Sequence, residues 1–403
     1  MTKSFRIALV TAFPPGQNSL NEYGLHLAKG LADRTDVSEV VIIADQLDAD
    51  LPELDLGPKI RVERVWRFNR VSSALRILRA LRRAAPDGVL WNLQTATFGD
   101  KELPAALGLL APAAARVLGL SSGIIAHNLI SGIDLENTQL KGQRIRQTLV
   151  RAGGAVVTRA MLSASYMTVT LRGYLEQLSQ SYPKANVHLV PHGTFDTEVR
   201  PSRPLSERPR RIVTMGKFGT YKRLETLLTA FDTLRENPDF ADFELVIGGQ
   251  DHPSTPGYLA DLAKERANDK AVIFHGYIAE EEIPDFFENA RLSVFDYNAT
   301  TGSSGVLHQT ASYGAVPVFP RIGDFVDVCR DEGLSGAHYG VMNAAEMAEA
   351  MTRMLSDHDE AQAIADNNRL ASQDMPFSEV VRFHVERLTQ KPLKIPETKT
   401  VNA

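Results

Sequence analysis

Two glycine-rich segments, each set between an apolar run and a helical pattern, limit what this chain can fold into. In the first, Arg211 to Met215 reads as a strand and GKFGTYKRLETLLTAF, from Gly216, as a glycine loop followed by a helix. In the second, TTGSSGVLHQTASYGAVPV, Thr300 to Val318, small residues again precede a helix. Glycine lets backbone N–H groups approach a phosphate, and a helix N-terminus adds about half a positive charge. Lys217 and Lys222 flank the first loop. Two such loops at the carboxyl ends of parallel strands would grip a diphosphate from two sides, so a nucleotide-activated substrate is expected.

A chain of 403 residues exceeds what one core usually serves, which predicts two domains. The amino half alternates strand-like runs (FRIALVTAF, VSEVVIIAD, GVLWNLQ, GIIAHNL, YMTVTL, NVHLVPHG) with helical segments, the pattern of a parallel sheet covered on both faces. It is therefore also read as Rossmann-like. After VPHG the stretch TFDTEVRPSRPLSERPRR is rich in proline and charge and reads as a linker. The expected division is an amino-terminal domain over 1–195, a linker over 196–210, a second α/β domain over 211–375, a terminal helix over 376–390 and a tail over 391–403. Phe377, Val381, Val385 and Leu388 share one face of that helix.

The apolar stretch from Leu103 to Ala126 contains Pro112, Arg116 and a Ser-Ser-Gly turn, and predicts a buried helix ending near Leu120 and then a strand, rather than a membrane span. One cysteine, Cys329, permits no disulfide within the chain. MTKSFRIALVTAF runs straight into a strand without the form of a signal peptide, so a cytoplasmic protein is expected. Formal charge is +6 through residue 195 and −11 beyond it. Much of the basic excess lies in Arg61 to Ala85, where Leu75, Leu78 and Leu81 recur at helical spacing and Arg76, Arg79, Arg82 and Arg83 take other positions. That helix is either a solvated face or a contact with an anionic membrane surface, which would make the protein peripheral on the inner face. No nucleic-acid partner is expected.

The order of motifs in the carboxyl half carries a family resemblance. The lysine loop is followed by FELVIGGQDHP (Phe243 to Pro253), AVIFHGYIAEEEIPDFFENARLSVFDY (Ala271 to Tyr297), the Gly/Ser loop and PRIGDF (Pro320 to Phe325). This series resembles the donor-binding half of a retaining GT-B glycosyltransferase of family 4, the glycosyl transferases group 1. The resemblance implies an α/β fold of two Rossmann-like doubly wound domains facing a cleft, with the terminal helix crossing back to the amino domain. It implies transfer of a hexose from a nucleotide diphosphate sugar to an acceptor hydroxyl, with retention, in assembly of a cell-surface polysaccharide or glycolipid.

The resemblance also assigns residues. Lys217 and Lys222 would contact the donor diphosphate, although Lys217 stands where arginine is usual and Arg223 where glycine is usual. Gly216, Ser303, Ser304, Gly305 and Val306 would contact phosphate and sugar, with a plain helix cap as the other reading of the two serines. Tyr277 and Ile278 would lie against the base, and Thr310 or His308 near the ribose. His127, directly after the strand GIIA, would stand close to the reacting sugar, with Asn128 and Glu22 toward the acceptor and Gly16 in the first loop beside donor phosphate. His192 is a candidate hinge residue. The family's two glutamates fall on Gly302 and Thr310, neither acidic, which raises a non-catalytic nucleotide-sugar-binding or scaffold protein as the alternative; a GT-B epimerase ranks last. Asp48 and Asp50 read as solvated surface. No metal and no cofactor beyond the nucleotide sugar are expected, because lysines and helix dipoles would stabilise the leaving diphosphate. The acceptor would be lipid-linked or a small molecule.

Overall fold

The computed structural model describes residues 4–47, 51–130, 144–195, 203–299 and 302–389. The Asp48 and Asp50 pair, the first half of the expected linker, Thr300 and Thr301 at the head of the second loop, and the tail lie outside the described residues. The chain divides into two compact units. Unit 1 comprises Met1–Val169, Tyr174–Leu189 and Ser378–Ala403; unit 2 comprises Thr170–Gly173 and Val190–Phe377.

In unit 1 seven parallel strands run β1 (Phe5–Val10), β2 (Val37–Asp45), β3 (Ile60–Trp66), β4 (Gly88–Leu93), β5 (Ser121–Ala126), β6 (Tyr166–Val169) and β7 (Val187–Leu189). Their order in the sheet is β3-β2-β1-β4-β5-β6-β7, which reverses between β1 and β4. The helices between them are α1 (Asn21–Asp33), α2 (Ser73–Ala84), α3 (Glu102–Leu109), α4 (Ala111–Val117), α5 (Arg144–Met161) and α6 (Arg172–Ser181), the last belonging to unit 1 from Tyr174 onward. Two helices, not one, thus occupy the apolar stretch. Pro112 enters at the first turn of α4, where its missing N–H costs nothing, and the chain breaks at Leu110 before it. On α2 the buried stripe is Ser73, Ile77, Ala80, Leu81 and Ala84, whereas Leu75 is 59% exposed on the face that carries Arg79 and Arg82. The expected Leu75–Leu78–Leu81 face is therefore corrected by about one residue's rotation, because branched Ile77 is the side chain that fills the core under α2.

Unit 2 holds six parallel strands: β8 (Arg211–Phe218), β9 (Glu244–Asp251), β10 (Val272–Gly276), β11 (Leu292–Val294), β12 (Val316–Pro320) and β13 (Ala337–Tyr339). Their order is β10-β9-β8-β11-β12-β13, reversing between β8 and β11. The helices are α7 (Glu225–Arg235), α8 (Tyr258–Glu265), α9 (Ile283–Glu288), α10 (Gly305–Ser312), α11 (Gly323–Glu332), α12 (Ala344–Ser356) and α13 (His358–Gln373). One core layer joins Ile212, Leu245 and Val318 of the sheet to Leu227, Phe231, Met347 and Met351 of α7 and α12. The last helix, α14 (Phe377–Thr389), buries Phe377, Val381, Val385 and Leu388, and from Ser378 onward it belongs to unit 1. Val381 lies so close over Gly30 of α1 that a Cβ there would stand 2.8 Å from its Cγ2.

The second half of the expected linker is not loose. Leu205 is buried in the unit 2 core, and Arg208 is buried with its Nη1 donating to the carbonyls of Phe287 (3.3 Å) and Ala290 (3.0 Å) and its Nη2 to that of Tyr313 (3.1 Å). These three bonds satisfy carbonyls at the ends of α9 and α10, a tertiary role that local composition does not display. Burial pushes its pKa down to about 10.

Candidate active site

The glycine segment after Met215 is strand, not loop. β8 continues through Gly216, Lys217 and Phe218, paired with Gly249, Gln250 and Asp251 of β9. Close approach makes this possible: Gly249 has φ +135°, and a Cβ there would stand 1.9 Å from the Gly216 carbonyl oxygen. The turn comes later, at Gly219, whose N–H donates to the Lys222 carbonyl at 2.9 Å. Residues 221–223 then run against 296–298. Asn298 N–H donates to Tyr221 O and Arg223 N–H to Asp296 O, with Lys222 and Tyr297 bridged antiparallel. This crossing stands at the reversal of strand order, where open parallel sheets leave a crevice.

Lys222 is brought there with defined neighbours. Its Nζ lies 4.6 Å from the centre of the Tyr297 ring, and its stem passes Gly216, where a Cβ would stand 3.1 Å from Cδ and 3.5 Å from Nζ. Arg223 turns instead to Glu225, Nε to Oε2 at 3.0 Å. Glu225 loses charge cost through that pairing despite burial, and its carboxyl is lowered to about 2. The N-terminus of α7 is already occupied: buried Asp296 accepts from Leu227 N–H at 3.0 Å, and the Tyr258 hydroxyl bonds Leu224 N–H at 2.9 Å. The first loop therefore supplies a lysine but not a helix N-terminus.

The second loop supplies the helix. α10 begins after Ser304, a non-glycine residue held at φ 55°, ψ 93°. Such backbone costs roughly 1–3 kcal/mol and persists where surrounding contacts impose it. Ser304 makes no side-chain cap, and its Oγ and the buried Tyr297 hydroxyl both lack a hydrogen-bond partner of good geometry among the described residues. The two hydroxyls are near enough that Ser304 partly offsets the rise which burial imposes on the Tyr297 pKa. The N–H groups of Gly305 and Val306 likewise have no partner among the described residues. An ammonium, two adjacent buried hydroxyls and the first N–H groups of a helix are groups of the kind that can receive an oxyanion.

Other expected residues fall elsewhere. Thr310 is fully buried, its Oγ1 2.8 Å from Val306 O and 3.0 Å from Ser293 Oγ, so it is a core residue of α10 turned toward β11 and is not available to a ribose. Ile278 is also core: a Cβ on Gly248 would stand 2.7 Å from its Cγ1, leaving only its backbone for a base. Tyr277 beside it is exposed, Ser303 is buried and Gly302 donates its N–H to Asp324 Oδ2 at 2.9 Å. Tyr297 and Asp296, which no sequence argument singled out, organise this end of the sheet; the only signal was their place after the apolar run of β11.

Unit 1 has its own cluster at the carboxyl ends of β1, β4 and β5. His127 follows β5 directly, and its Nε2 lies 2.7 Å from Asn92 Oδ1. The Asn92 amide donates to Thr11 Oγ1 at 2.9 Å and to Leu20 O at 3.3 Å, which leaves Oδ1 as acceptor and assigns the His127 proton to Nε2. Tyr23 meets the ring edge-on at 4.5 Å. Burial lowers the His127 pKa to about 3, so the ring is neutral near pH 7. Asn128 accepts from Thr95 N–H at 2.8 Å, and half-buried Glu22 stands in the first turn of α1. Gly16 is enclosed: a Cβ would stand 2.9 Å from Phe13 O. Its loop is tied down by Asp45, which accepts from Phe13 N–H (2.9 Å) and Asn18 Nδ2 (2.6 Å), and by Arg64, whose Nη2 donates to Pro14 O (2.6 Å).

Among the described residues no group of three or more His, Cys, Asp or Glu could hold a metal ion, and no helix is long and apolar enough to cross a membrane. Residues 195–371 match the model of one family, glycosyl transferases group 1. The matched residues lie within unit 2. A mannosylfructose-phosphate synthase of Agrobacterium fabrum is 24% identical over 147 residues, 33% of this chain; the match spans 32% of that relative's length. The sucrose-phosphate synthase of Thermosynechococcus elongatus superposes with a TM-score of 0.72 at 16% identity, over 95% of this chain and 98% of that one. HepE of Anabaena, solved with UDP and glucose, gives 0.66 at 15% over 96% and 100%. At these identities the likeness establishes the fold, two Rossmann-like units of the GT-B class.

Proposed function

We propose that the chain transfers a hexose from a nucleoside diphosphate sugar to an acceptor hydroxyl with retention. The observation that carries this reading is the convergence of Lys222 Nζ, the Tyr297 and Ser304 hydroxyls and the α10 N–H groups at the strand-order reversal of unit 2, which contains the residues that match the group 1 glycosyl transferases. HepE was solved with UDP and glucose, which supports a uridine donor. The diphosphate lies on Lys222, Ser304 and the first N–H groups of α10, with Lys217 adding charge and Tyr277 with the Ile278 backbone toward the base. In the transfer, the acceptor oxygen bonds to the anomeric carbon as the bond to the β-phosphate oxygen breaks, and the hydroxyl proton passes to that departing oxygen. Accumulating charge on the diphosphate is met by Lys222 and the helix dipole, without a metal. Within unit 1 the residues assigned to the reaction are His127, neutral and fixed by Asn92, with Glu22, Asn128 and the Gly16 loop.

The acceptor is a lipid-linked or small-molecule sugar. Leu75 of α2, Leu103 of α3, Val117 of α4 and Val156 of α5 are exposed beside Arg76, Arg79, Arg82, Arg116, Arg151 and Arg159, which favours an anionic lipid surface as a partner. A second reading, nucleotide-sugar binding without turnover, is favoured by the loss of acidic side chains at Gly302 and at buried Thr310. Thermal-shift measurements with UDP, GDP, ADP and their glucose and mannose conjugates in EDTA, followed by assay of sugar release and transfer, separate the two. A midpoint raised by one nucleotide family with donor turnover supports transfer; a shift with no turnover on any acceptor supports binding alone; no shift with any nucleotide removes both.

A further inference from the structure

Beneath the α10 turn lies a cluster that the transfer chemistry does not use. His308 and Glu332 are almost fully buried and face each other with Nε2 2.7 Å from Oε2. The other ring nitrogen, Nδ1, is 3.0 Å from the Ser304 carbonyl oxygen, which can only accept, so Nδ1 carries a proton. With Glu332 accepting at Nε2, both nitrogens donate and the ring is an imidazolium. Burial opposes that charge, but Glu332 and the Ser304 carbonyl outweigh it and the His308 pKa is raised. The Ser304 carbonyl accepts as well from Leu307 N–H at 2.9 Å. His192 stacks on His308 at 4.6 Å and 22°, donates from Nδ1 to Gly193 O at 2.9 Å, and places Nε2 3.4 Å from where a Gly305 Cβ would stand.

These contacts converge on the residue whose backbone is strained. Ser304 is the last residue before α10, and its left-handed φ sets its buried hydroxyl beside that of Tyr297, whose ring carries the Lys222 ammonium. We propose that His308 and Glu332 are positioning residues, a buried ion pair that clamps the Ser304 carbonyl and so holds the oxyanion-binding turn open, with His192 packed as the floor beneath Gly305. The pair touches no ligand and acts through Ser304. α11 thus contributes a carboxylate beneath the turn, while Gly302 in the loop before α10 and Thr310 within α10 carry none.

The inference rests on the turn binding a nucleoside diphosphate, so its test includes one arm that needs no ligand. Removing His308 alone would strand a buried carboxylate and risk unfolding. The variant is therefore His308→Gln with Glu332→Gln, an amide pair without charge, made with and without Ser304→Gly. Calorimetry with UDP is expected to show affinity reduced at least tenfold in the double variant, with donor KM raised more than kcat is lowered. Ser304→Gly adds less than a twofold loss on that background but several-fold on wild type, since glycine adopts φ 55° unaided and the lost clamp has already released the turn. Hydrogen exchange across 302–308, measured without nucleotide, is expected to accelerate in the double variant. UDP binding within twofold of wild type, or equal Ser304→Gly penalties on both backgrounds, overturns the proposal. If the wild type binds no nucleotide the transfer reading fails instead, and unchanged exchange in the turn then overturns this one separately.

Discussion

Replacing Lys222 with methionine removes its charge while keeping most of the stem that runs past Gly216, so stability and binding should respond by different amounts. In the free protein the ammonium makes a cation–π contact with Tyr297 at 4.6 Å from a half-buried position. Such a contact contributes about 0.5–1 kcal/mol. For a unit of this size, that corresponds to a fall of roughly 1–4 °C in midpoint. A charge-assisted bond to phosphate contributes about 1.5–3 kcal/mol. At about 1.4 kcal/mol per decade, Lys222→Met should weaken UDP binding roughly 10- to 150-fold. Calorimetry in EDTA at constant ionic strength reads the affinity, and a thermal melt reads the fold. UDP bound within threefold of wild type by a variant with an unchanged melt would refute the placement of diphosphate against Lys222.

Four further outcomes follow from the same coordinates. Gly249→Ala should cost several kcal/mol in urea denaturation, because its Cβ would overlap the Gly216 oxygen at 1.9 Å and its φ is +135°; a loss below about 1 kcal/mol would contradict the close approach of β8 and β9. Thr310→Val should leave nucleotide affinity within twofold and cost about 1 kcal/mol of stability, whereas a large rise in Kd would return Thr310 to the ribose. His127 and His384 are buried with pKa values lowered to about 3, so the unfolded chain binds protons that the native chain refuses, and stability should fall as pH drops below about 6.5 toward 3. His308, with its pKa raised, contributes oppositely, fully below the unfolded value and lost as pH rises through the folded one; His127→Asn should flatten the acid limb of a pH series of melts, and an unchanged limb would contradict a buried neutral ring. Changing Arg76, Arg79 and Arg82 together to glutamine should reduce sedimentation with phosphatidylserine vesicles roughly 100-fold at low salt, at about 1 kcal/mol per arginine, and binding indifferent to lipid charge would remove α2 as the contact.

Much of the architecture was legible in local patterns. Short apolar runs spaced by helical periods called for two parallel sheets, and the series from Gly216 to Phe325 pointed to the family that residues 195–371 match. Legibility stopped where residues distant in sequence meet. Pro112 was visible, but its splitting of one helix into two depended on where the core needed the chain. Gly216 read as a loop residue because its partner across the ladder, Gly249, is 33 positions away, and only their pairing turns a glycine pair into continuous strand. Arg208 sat in a run of proline and charge that looks like any tether; three distant carbonyls made it an anchor.

The candidate site divides the same way. Lys222, the Ser/Gly turn and His127 could be named from the chain alone, since a cation, small residues before a helix and a polar side chain after a strand are local chemical statements. That Asp296 would fill the N-terminus of α7, leaving α10 as the helix open to an anion, required the loops after β8 and β11 to cross. Thr310 and Ile278 have acceptable residue types for a ligand contact, yet helix phase and sheet packing point them into the core. The sequence by itself determined the elements, their parallel order and the stock of charged and small residues, because each depends on neighbours within a few positions. Only the tertiary structure decided which of those residues share a pocket, since burial and hydrogen-bond partnership depend on what the fold brings from 30 or more residues away.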